Sequence, residues 1–105
     1  MQKFSDVLQG LDSAEDVLRI ELFHSDGTSA GVIENKSGTQ GSLKVYNHLY
    51  KMFGDITLDA AVEGLALYAE HTEDAENCPG KHPNVDRLLN VLEDELPLTI
   101  KVINK

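Results

Sequence analysis

The stretch that decides the fold is LTIKVI, residues 98–103, near the end of the chain. Apolar and polar residues alternate along it, which places Leu98, Ile100 and Val102 on one side of a half-buried strand. Several predicted helices come before it, and a strand that follows helices must pair with an earlier strand or leave an apolar edge exposed. The sequence therefore predicts that residues 98–103 join an earlier hairpin in one sheet.

That earlier partner is a β-hairpin near residues 17–34. Its first strand, VLRIELF, places Leu18, Ile20 and Leu22 on one face and charged side chains on the other. The sequence SDGT at residues 25–28 supplies the turn, and the Val-Ile pair after it belongs to the second strand. The sheet is predicted to contain about three strands, namely the hairpin and the C-terminal strand.

Four helices are predicted around this sheet. The first covers residues 3–10, and the second begins after its N-cap Ser42 and ends at Gly54. The third covers residues 58–74, and the fourth begins at Pro83. The last three helices repeat apolar residues at helical spacing, so their core residues are expected to be Leu43, Tyr46, Leu49, Tyr50, Phe53, Ala61, Val62, Leu65, Tyr68, Ala69, Val85, Leu88, Leu89 and Leu92.

The chain of 105 residues is predicted to form one α+β domain over residues 1–105. A chain of this length buries roughly 65% of the surface that its unfolded form exposes, which is enough for one core. The element order is α-β-β-α-α-α-β, with helices on one face of a small antiparallel or mixed sheet. Hydrophobic residues make up 41% of the chain, a value typical of a folded protein and too high for a disordered acidic segment.

Charge and cysteine content bound the partners and the compartment. Asp and Glu number 18 against 9 Lys and Arg, so the net charge is −9, and nucleic acid or anionic lipid is not an expected partner. The single cysteine, Cys78, makes no intramolecular disulfide, as in a reducing cytosol. No signal peptide is readable, and the apolar stretch 60–69 is too short for a membrane span. We expect a cytoplasmic protein.

Residues 70–87 contain the densest set of reactive side chains, and the functional surface is predicted at residues 71–87. The residues expected to bind a partner there are His71, Lys81, His82, Asn84, Asp86 and Arg87.

A zinc site is one interpretation of this stretch. His71, Cys78 and His82 offer nitrogen and sulfur ligands, to which Asp74 or Glu76 would add an oxygen. The spacing lacks the paired ligands of structural zinc sites, so the alternative is that these residues simply lie near helix ends. No other cofactor is expected.

An anion pocket is a second interpretation. The sequence GKH at 80–82 leads directly into the helix that begins at Pro83, where unpaired backbone N–H groups attract anions, and Arg87 follows one turn later. This is not the frame of a P-loop. The alternative is ordinary capping of the helix by His82 or Asn84, and the neighbouring acidic residues oppose an anion.

Nucleophilic catalysis is a third interpretation, in which His82 removes the proton of Cys78 four residues earlier. The sequence specifies no third residue to orient the pair. A lone cysteine is more often a small packed residue, which is the alternative for Cys78.

The turn CPGKHP at 78–83 is expected to bring His71, at the end of one helix, close to His82, at the start of the next. Either His82 hydrogen-bonds the open carbonyls of the preceding helix and holds the junction, or it faces solvent in a cleft and binds a partner. The structural alternative is favoured, because polar groups at helix junctions usually find a partner within the chain.

The sequence AEHT at 69–72, followed by PGKHPNVDRLL at 79–89, resembles a family of short, single-domain proteobacterial proteins known only as a domain of unknown function. The likeness extends over most of the chain, and residues 69–89 carry its distinctive part. The motif rests on His71, Gly80, His82, Pro83, Asn84 and Asp86. The resemblance implies a compact α+β domain and no known activity, and it does not depend on Cys78.

The predicted function is that of a non-enzymatic binding or interaction module, because polar residues concentrate around one turn without a complete catalytic set. The alternative is a small metal-dependent or acid/base enzyme that uses His71 and His82. Such an enzyme requires the two imidazoles to converge on a concave pocket, within roughly 5 to 7 Å. The partner, a protein or a small molecule, and the oligomeric state are left open.

Overall fold

A three-stranded sheet with helices against one face organises the computed structural model, which describes residues 3–105. The elements in chain order are α1 (Phe4–Gln9), β1 (Val17–Phe23), β2 (Ser29–Glu34), α2 (Gln40–Phe53), α3 (Leu58–Leu67), α4 (Glu70–Asn77), α5 (Pro83–Asp94) and β3 (Thr99–Asn104). The strand order is β2-β1-β3 with antiparallel pairs, so the C-terminal strand does pair with the hairpin. The predicted α+β class is confirmed.

Apolar residues of all three strands line up on the covered face of the sheet. Ile20 in the central strand lies opposite Ile33 of β2 and Val102 of β3. Leu22, two residues further on, lies opposite Ile100 of β3. Ile20 and Leu22 are fully buried, so the alternation in β1 and β3 correctly identified the face that the helices cover.

Leu18 does not lie on this covered face, and its predicted placement is wrong. Val17 pairs with Asn104, and the next paired residues are Arg19 and Ile103, so one residue of β1 has no partner. Such a β-bulge turns Leu18 outward, where it is 43% exposed, and Val17 is buried instead. An alternating pattern assumes regular pairing and therefore cannot show the extra residue.

α2 packs against the sheet and also against α3, so residues on more than one face of α2 are buried. Its buried residues are Leu43, Val45, Tyr46, Asn47 and Leu49. The end of the helix, residues 50–54, is exposed throughout. Tyr50 and Phe53, which were predicted in the core, are therefore 41% and 37% exposed.

The third predicted helix is divided in two at Ala69. The backbone of Ala69 has a φ of 54° and a ψ of −120°, which an α-helix cannot contain. The element order is therefore the predicted one with one more helix. The break gives α4 its own direction, in which it packs against α5.

α3 buries small residues rather than large ones. Ala60, Ala61 and Gly64 are buried, whereas Val62, which was predicted in the core, is 56% exposed. A Cβ added at Gly64 would lie 2.6 Å from Cδ1 of Leu88 in α5. The small face of α3 therefore lets α5 approach closely, and a larger residue at Gly64 would separate the two helices.

α5 begins at Pro83, as predicted, and it ends at Asp94. Its buried residues are Val85, Leu88 and Val91, while the predicted core residues Leu89 and Leu92 are only partly buried. Within residues 3–105, every helix is too short or too polar to span a membrane.

Candidate functional site

The junction between α4 and α5 is a tight turn over residues 78–82. Gly80 has a φ of 91°, a conformation that favours glycine, and its N–H donates to Oδ2 of Asp86 at 3.0 Å. The carbonyl of His82 accepts the N–H groups of Val85 and Asp86, so His82 is the N-cap residue of α5. The Asp86 side chain, predicted to bind a partner, is used to hold the turn.

Asp74 in α4 ties this turn to the preceding helix. Its Oδ2 lies 2.7 Å from Nε2 of His82 and 3.0 Å from Nζ of Lys81. The hydrogen bond from His82, and then that from Lys81, lowers the pKa of Asp74, so this side chain is a carboxylate that only accepts. His82 therefore contacts the preceding helix, as the structural alternative expected, but through a carboxylate rather than through open backbone carbonyls.

His71 and His82 lie side by side, as predicted, but His71 lies in the first turn of α4 and not at the end of a helix, because the third predicted helix is broken at Ala69. Their ring centroids are 5.0 Å apart and their planes differ by 45°. His71 also packs edge-on against Phe4 of α1 at 4.9 Å. In contrast to His82, the His71 side chain has no hydrogen-bond partner within residues 3–105, and its ring nitrogens are not buried. A free imidazole therefore lies beside a fixed one.

α1 is fastened beside these histidines by residues from two other helices. Oε1 of Glu70 accepts the N–H of Phe4 at 2.7 Å, and this hydrogen bond lowers the pKa of Glu70. Nζ of Lys44 in α2 donates to the carbonyl of Leu8 at 2.8 Å. A helix of six residues is too short to be stable alone, so these contacts determine its position.

A cleft of about 600 Å³ opens beside the two imidazoles, and we call it the histidine cleft. Four of the six predicted binding residues line it: His71, Lys81, His82 and Asn84. The remaining lining includes Phe4, Leu8 and residues 38–42 at the start of α2. The sequence did not assign residues 38–42 to the site, although their two glycines mark a loop that ends at a helix.

α2 begins at this cleft, earlier than its predicted N-cap Ser42. Thr39 is the N-cap residue, and its side chain makes no capping hydrogen bond. Oγ of Ser42 instead accepts the hydroxyl of Tyr68 at 2.7 Å. Burial raises the pKa of Tyr68, so its hydroxyl keeps the proton that it donates. This bond joins the start of α2 to the end of α3 beside the cleft.

Arg87 and Asp86 line a different cavity, of about 400 Å³, which we call the arginine cavity. Nε of Arg87 donates to the carbonyl of Ala30 at 2.9 Å. Its Nη1 donates to Oδ1 of Asn84 at 2.8 Å and to the hydroxyl of Tyr46 at 3.2 Å. Burial raises the pKa of Tyr46 to about 12, against the opposing effect of the guanidinium, so the hydroxyl stays protonated.

The predicted anion pocket is consequently divided between the two cavities. Lys81 lines the histidine cleft, where its ammonium group is paired with Asp74. Arg87 lines the arginine cavity, because oxygens of Ala30 and Tyr46 hold it there. Neither oxygen belongs to the stretch in which the pocket was predicted.

The predicted zinc site of His71, Cys78 and His82 has no assembled ligand set. Among residues 3–105, no three side chains of His, Cys, Asp or Glu are placed to hold one metal ion. Cys78 is exposed, and Nε2 of His82 is bonded to Asp74. Zinc binding stays a prediction, and elemental analysis of the purified chain tests it by looking for close to one zinc per chain.

Comparison with known proteins identifies a bacterial protein family. Residues 4–102 match the family described as "uncharacterized protein conserved in bacteria (DUF2322)". Neither the curated proteins nor the solved structures contain a significant match. The family match covers nearly the whole chain, in agreement with the resemblance to a small single-domain bacterial family.

Proposed function

The chain belongs to this family of uncharacterised bacterial proteins, and from that premise we propose that it is a non-enzymatic binding domain that takes a small molecule into the histidine cleft. The observation that carries the proposal is a free imidazole, His71, 5.0 Å from a fixed one, His82, in a cleft of about 600 Å³. Small-molecule sites have volumes of about 300 to 1,000 Å³.

The cleft offers a ligand both donors and acceptors of hydrogen bonds. Because the Asp74 carboxylate only accepts, Nε2 of His82 carries the proton of that bond, which leaves Nδ1 as the ring nitrogen available to a ligand. A neutral His71 adds one donor and one acceptor. Phe4 and Leu8 add apolar surface. These groups suit a small polar molecule with an apolar part.

An acid/base enzyme is the second candidate, and one observation favours it. The two imidazoles meet the distance that such an enzyme requires, and Asp74 orients His82 as a carboxylate orients a catalytic base. In such an enzyme Nδ1 of His82 removes a proton from the substrate and His71 donates one. The binding function is preferred because the ammonium group of Lys81, the lysine that lines the cleft, is already paired with the Asp74 carboxylate at 3.0 Å.

A fragment screen followed by ¹H–¹⁵N NMR tests the proposal. Compounds that bind are expected to shift, in a saturable way, the amide signals of residues 38–42, of His71 and of the four residues Lys81, His82, Asn84 and Val85. His71→Asn should weaken these shifts, whereas the matched control His48→Asn should not, because His48 pairs with Glu63 away from the cleft. A screen in which every hit shifts amides outside the cleft would contradict the proposal.

The same samples separate binding from catalysis. A binding domain leaves the spectrum of each bound compound unchanged after prolonged incubation. An acid/base enzyme converts at least one of them, and His82→Asn stops the conversion. Conversion by the wild-type chain would therefore replace the first candidate with the second.

The proposal includes a cytoplasmic location and a partner other than nucleic acid. The net charge of −9 supports the second statement, because a nucleic-acid surface needs clustered Lys and Arg. A single cysteine supports the first. Fractionation of cells that express the chain, and a binding assay with duplex DNA and with RNA, test the two statements.

A further inference from the structure

Arg87 is a cation whose hydrogen-bond acceptors are neutral oxygens and whose guanidinium also lies 5.5 Å from the centre of the Tyr46 ring. Its Nε and Nη1 donate to Ala30, Asn84 and Tyr46, and within residues 3–105 it forms no ion pair with a carboxylate. Its Nη2 has no hydrogen-bond partner in that part of the chain and is not buried. The absence of a side chain at Gly31 leaves room for Nη2. Three of the five N–H donors are used, so the two of Nη2 remain, and a carboxylate can accept a charge-assisted hydrogen bond from them.

The arginine cavity around this guanidinium also has an apolar wall. Ala30, Val91 and Leu98 contribute to it, and so does Leu96, a large apolar side chain that is 58% exposed. The volume of about 400 Å³ lies within the range of small-molecule sites. The cavity can therefore take an apolar group as well as a charged one.

Two carboxylates limit the charge of the occupant. Asp86 and Asp94 line the cavity together with Asn90 and His24. Asp86 accepts the N–H of Gly80, whereas Asp94 forms no ion pair within the described residues 3–105. A net anion would be repelled by both carboxylates, and a cation without a carboxylate would leave Nη2 of Arg87 without an acceptor. A zwitterion satisfies the guanidinium and a carboxylate together.

We propose that the arginine cavity binds a free amino acid with an apolar side chain. The carboxylate of the ligand pairs with Nη2 of Arg87, its ammonium group faces Asp94, and its side chain packs on Val91 and Leu96. This site is separate from the histidine cleft, so it stands whether or not the cleft binds a small molecule.

NMR titration with three related compounds tests the charge requirement. The amino acid is L-leucine. The compound 4-methylpentanoate has the same carbon skeleton without the ammonium group, and 3-methylbutylamine is L-leucine without its carboxylate. L-Leucine should shift the amides of residues that line the arginine cavity, and each analogue should bind roughly tenfold more weakly. The inference is overturned if neither L-leucine nor L-phenylalanine gives saturable shifts there, or if the analogues bind as tightly as L-leucine.

Variants test the two charged contacts. Arg87→Lys should weaken binding of L-leucine because it removes the two N–H donors of Nη2. Asp94→Asn lies on an exposed helix end, folds without difficulty and should weaken binding roughly fivefold. The matched control Asp59→Asn, at the exposed start of α3, should bind L-leucine as the wild type does. Wild-type affinity of Asp94→Asn would overturn the assignment even if Arg87→Lys does not fold.

Discussion

The histidine cleft and the arginine cavity both open beside Pro83, yet their central side chains are held in opposite ways. In the cleft, His82 is fixed by Asp74, which is eight residues away in the same segment. In the cavity, Arg87 is fixed by Ala30 and Tyr46, which are 57 and 41 residues away. One arrangement is local, and the other connects distant parts of the chain.

This difference indicates where the stability of the domain resides. The contacts of Arg87 join α5 to the edge strand β2 and to α2, so they exist only when the whole domain is folded. The contact of His82 joins two consecutive helices. Substitutions on the cavity side are therefore expected to affect global unfolding more than substitutions on the cleft side.

The largest effect is expected for Arg87→Met. The variant removes three hydrogen bonds and leaves the oxygens of Ala30 and Asn84 without their donor, so the free energy of unfolding should fall by about 3 kcal/mol. The matched control Lys81→Met removes the same charge from an exposed side chain and should change it little. Urea denaturation measures the free energy of unfolding of both variants. Equal losses would contradict the claim that the contacts of Arg87 stabilise the domain more than those on the cleft side.

A smaller loss is expected for Tyr46→Phe. The hydroxyl of Tyr46 donates to the carbonyl of Asn84 at 2.6 Å and accepts from Arg87, so its removal should cost about 1.5 kcal/mol. The control Tyr50→Phe removes a hydroxyl from a side chain that is 41% exposed and should be close to neutral. If the two variants have the same melting temperature, the hydrogen bonds of the Tyr46 hydroxyl do not stabilise the domain.

His82→Asn tests the local side of the comparison. It removes the bond to Asp74 and should lower the free energy of unfolding by roughly 1 kcal/mol. His71→Asn should cost less, because His71 makes ring contacts but no side-chain hydrogen bond within residues 3–105. A greater loss for His71→Asn, measured by urea denaturation, would show that His71, and not His82, holds the junction between α4 and α5.

The smallest effect is the pH dependence of Asp74→Asn. The pKa of Asp74 is lowered in the folded chain, so its contribution to stability is complete above the ordinary Asp pKa of about 3.9 and is lost as the pH falls through the lower folded value. Lys81 is the cation that faces it, and His82 donates a hydrogen bond to it. The difference in melting temperature between wild type and variant should therefore shrink between about pH 5 and about pH 2. A difference that grows on acidification would reverse the sign of this linkage.

The sequence predicted the local features well, because a few residues determine them. Pro83 starts α5, and the turn at 78–83 brings His71 to 5.0 Å from His82, as proline and glycine chemistry requires. The alternation of apolar and polar residues in 98–103 likewise identified the third strand, because alternation is typical of half-buried strands. The need to cover its apolar edge identified the hairpin as its partner.

Other features could not be predicted because they depend on distant contacts or on single exceptions to a pattern. Nothing near Arg87 in sequence shows that Ala30 and Tyr46 hold it away from the cleft. The positive φ of Ala69 and the extra residue Leu18 interrupt patterns whose apolar residues continue unchanged. The sequence therefore pointed to the part of the candidate site that lies within residues 71–87. It did not point to the part of the lining that comes from α1 and from residues 38–42.

The dissociation constant of His71→Asn most directly tests the central claim, that the histidine cleft binds a ligand through a side chain that does not hold the fold. The ligand is the fragment that most strongly shifts the cleft amides of the wild-type chain. We predict roughly tenfold weaker binding by the variant, with a melting temperature within about 2 °C of the wild type. Equal dissociation constants for wild type and variant would contradict the claim.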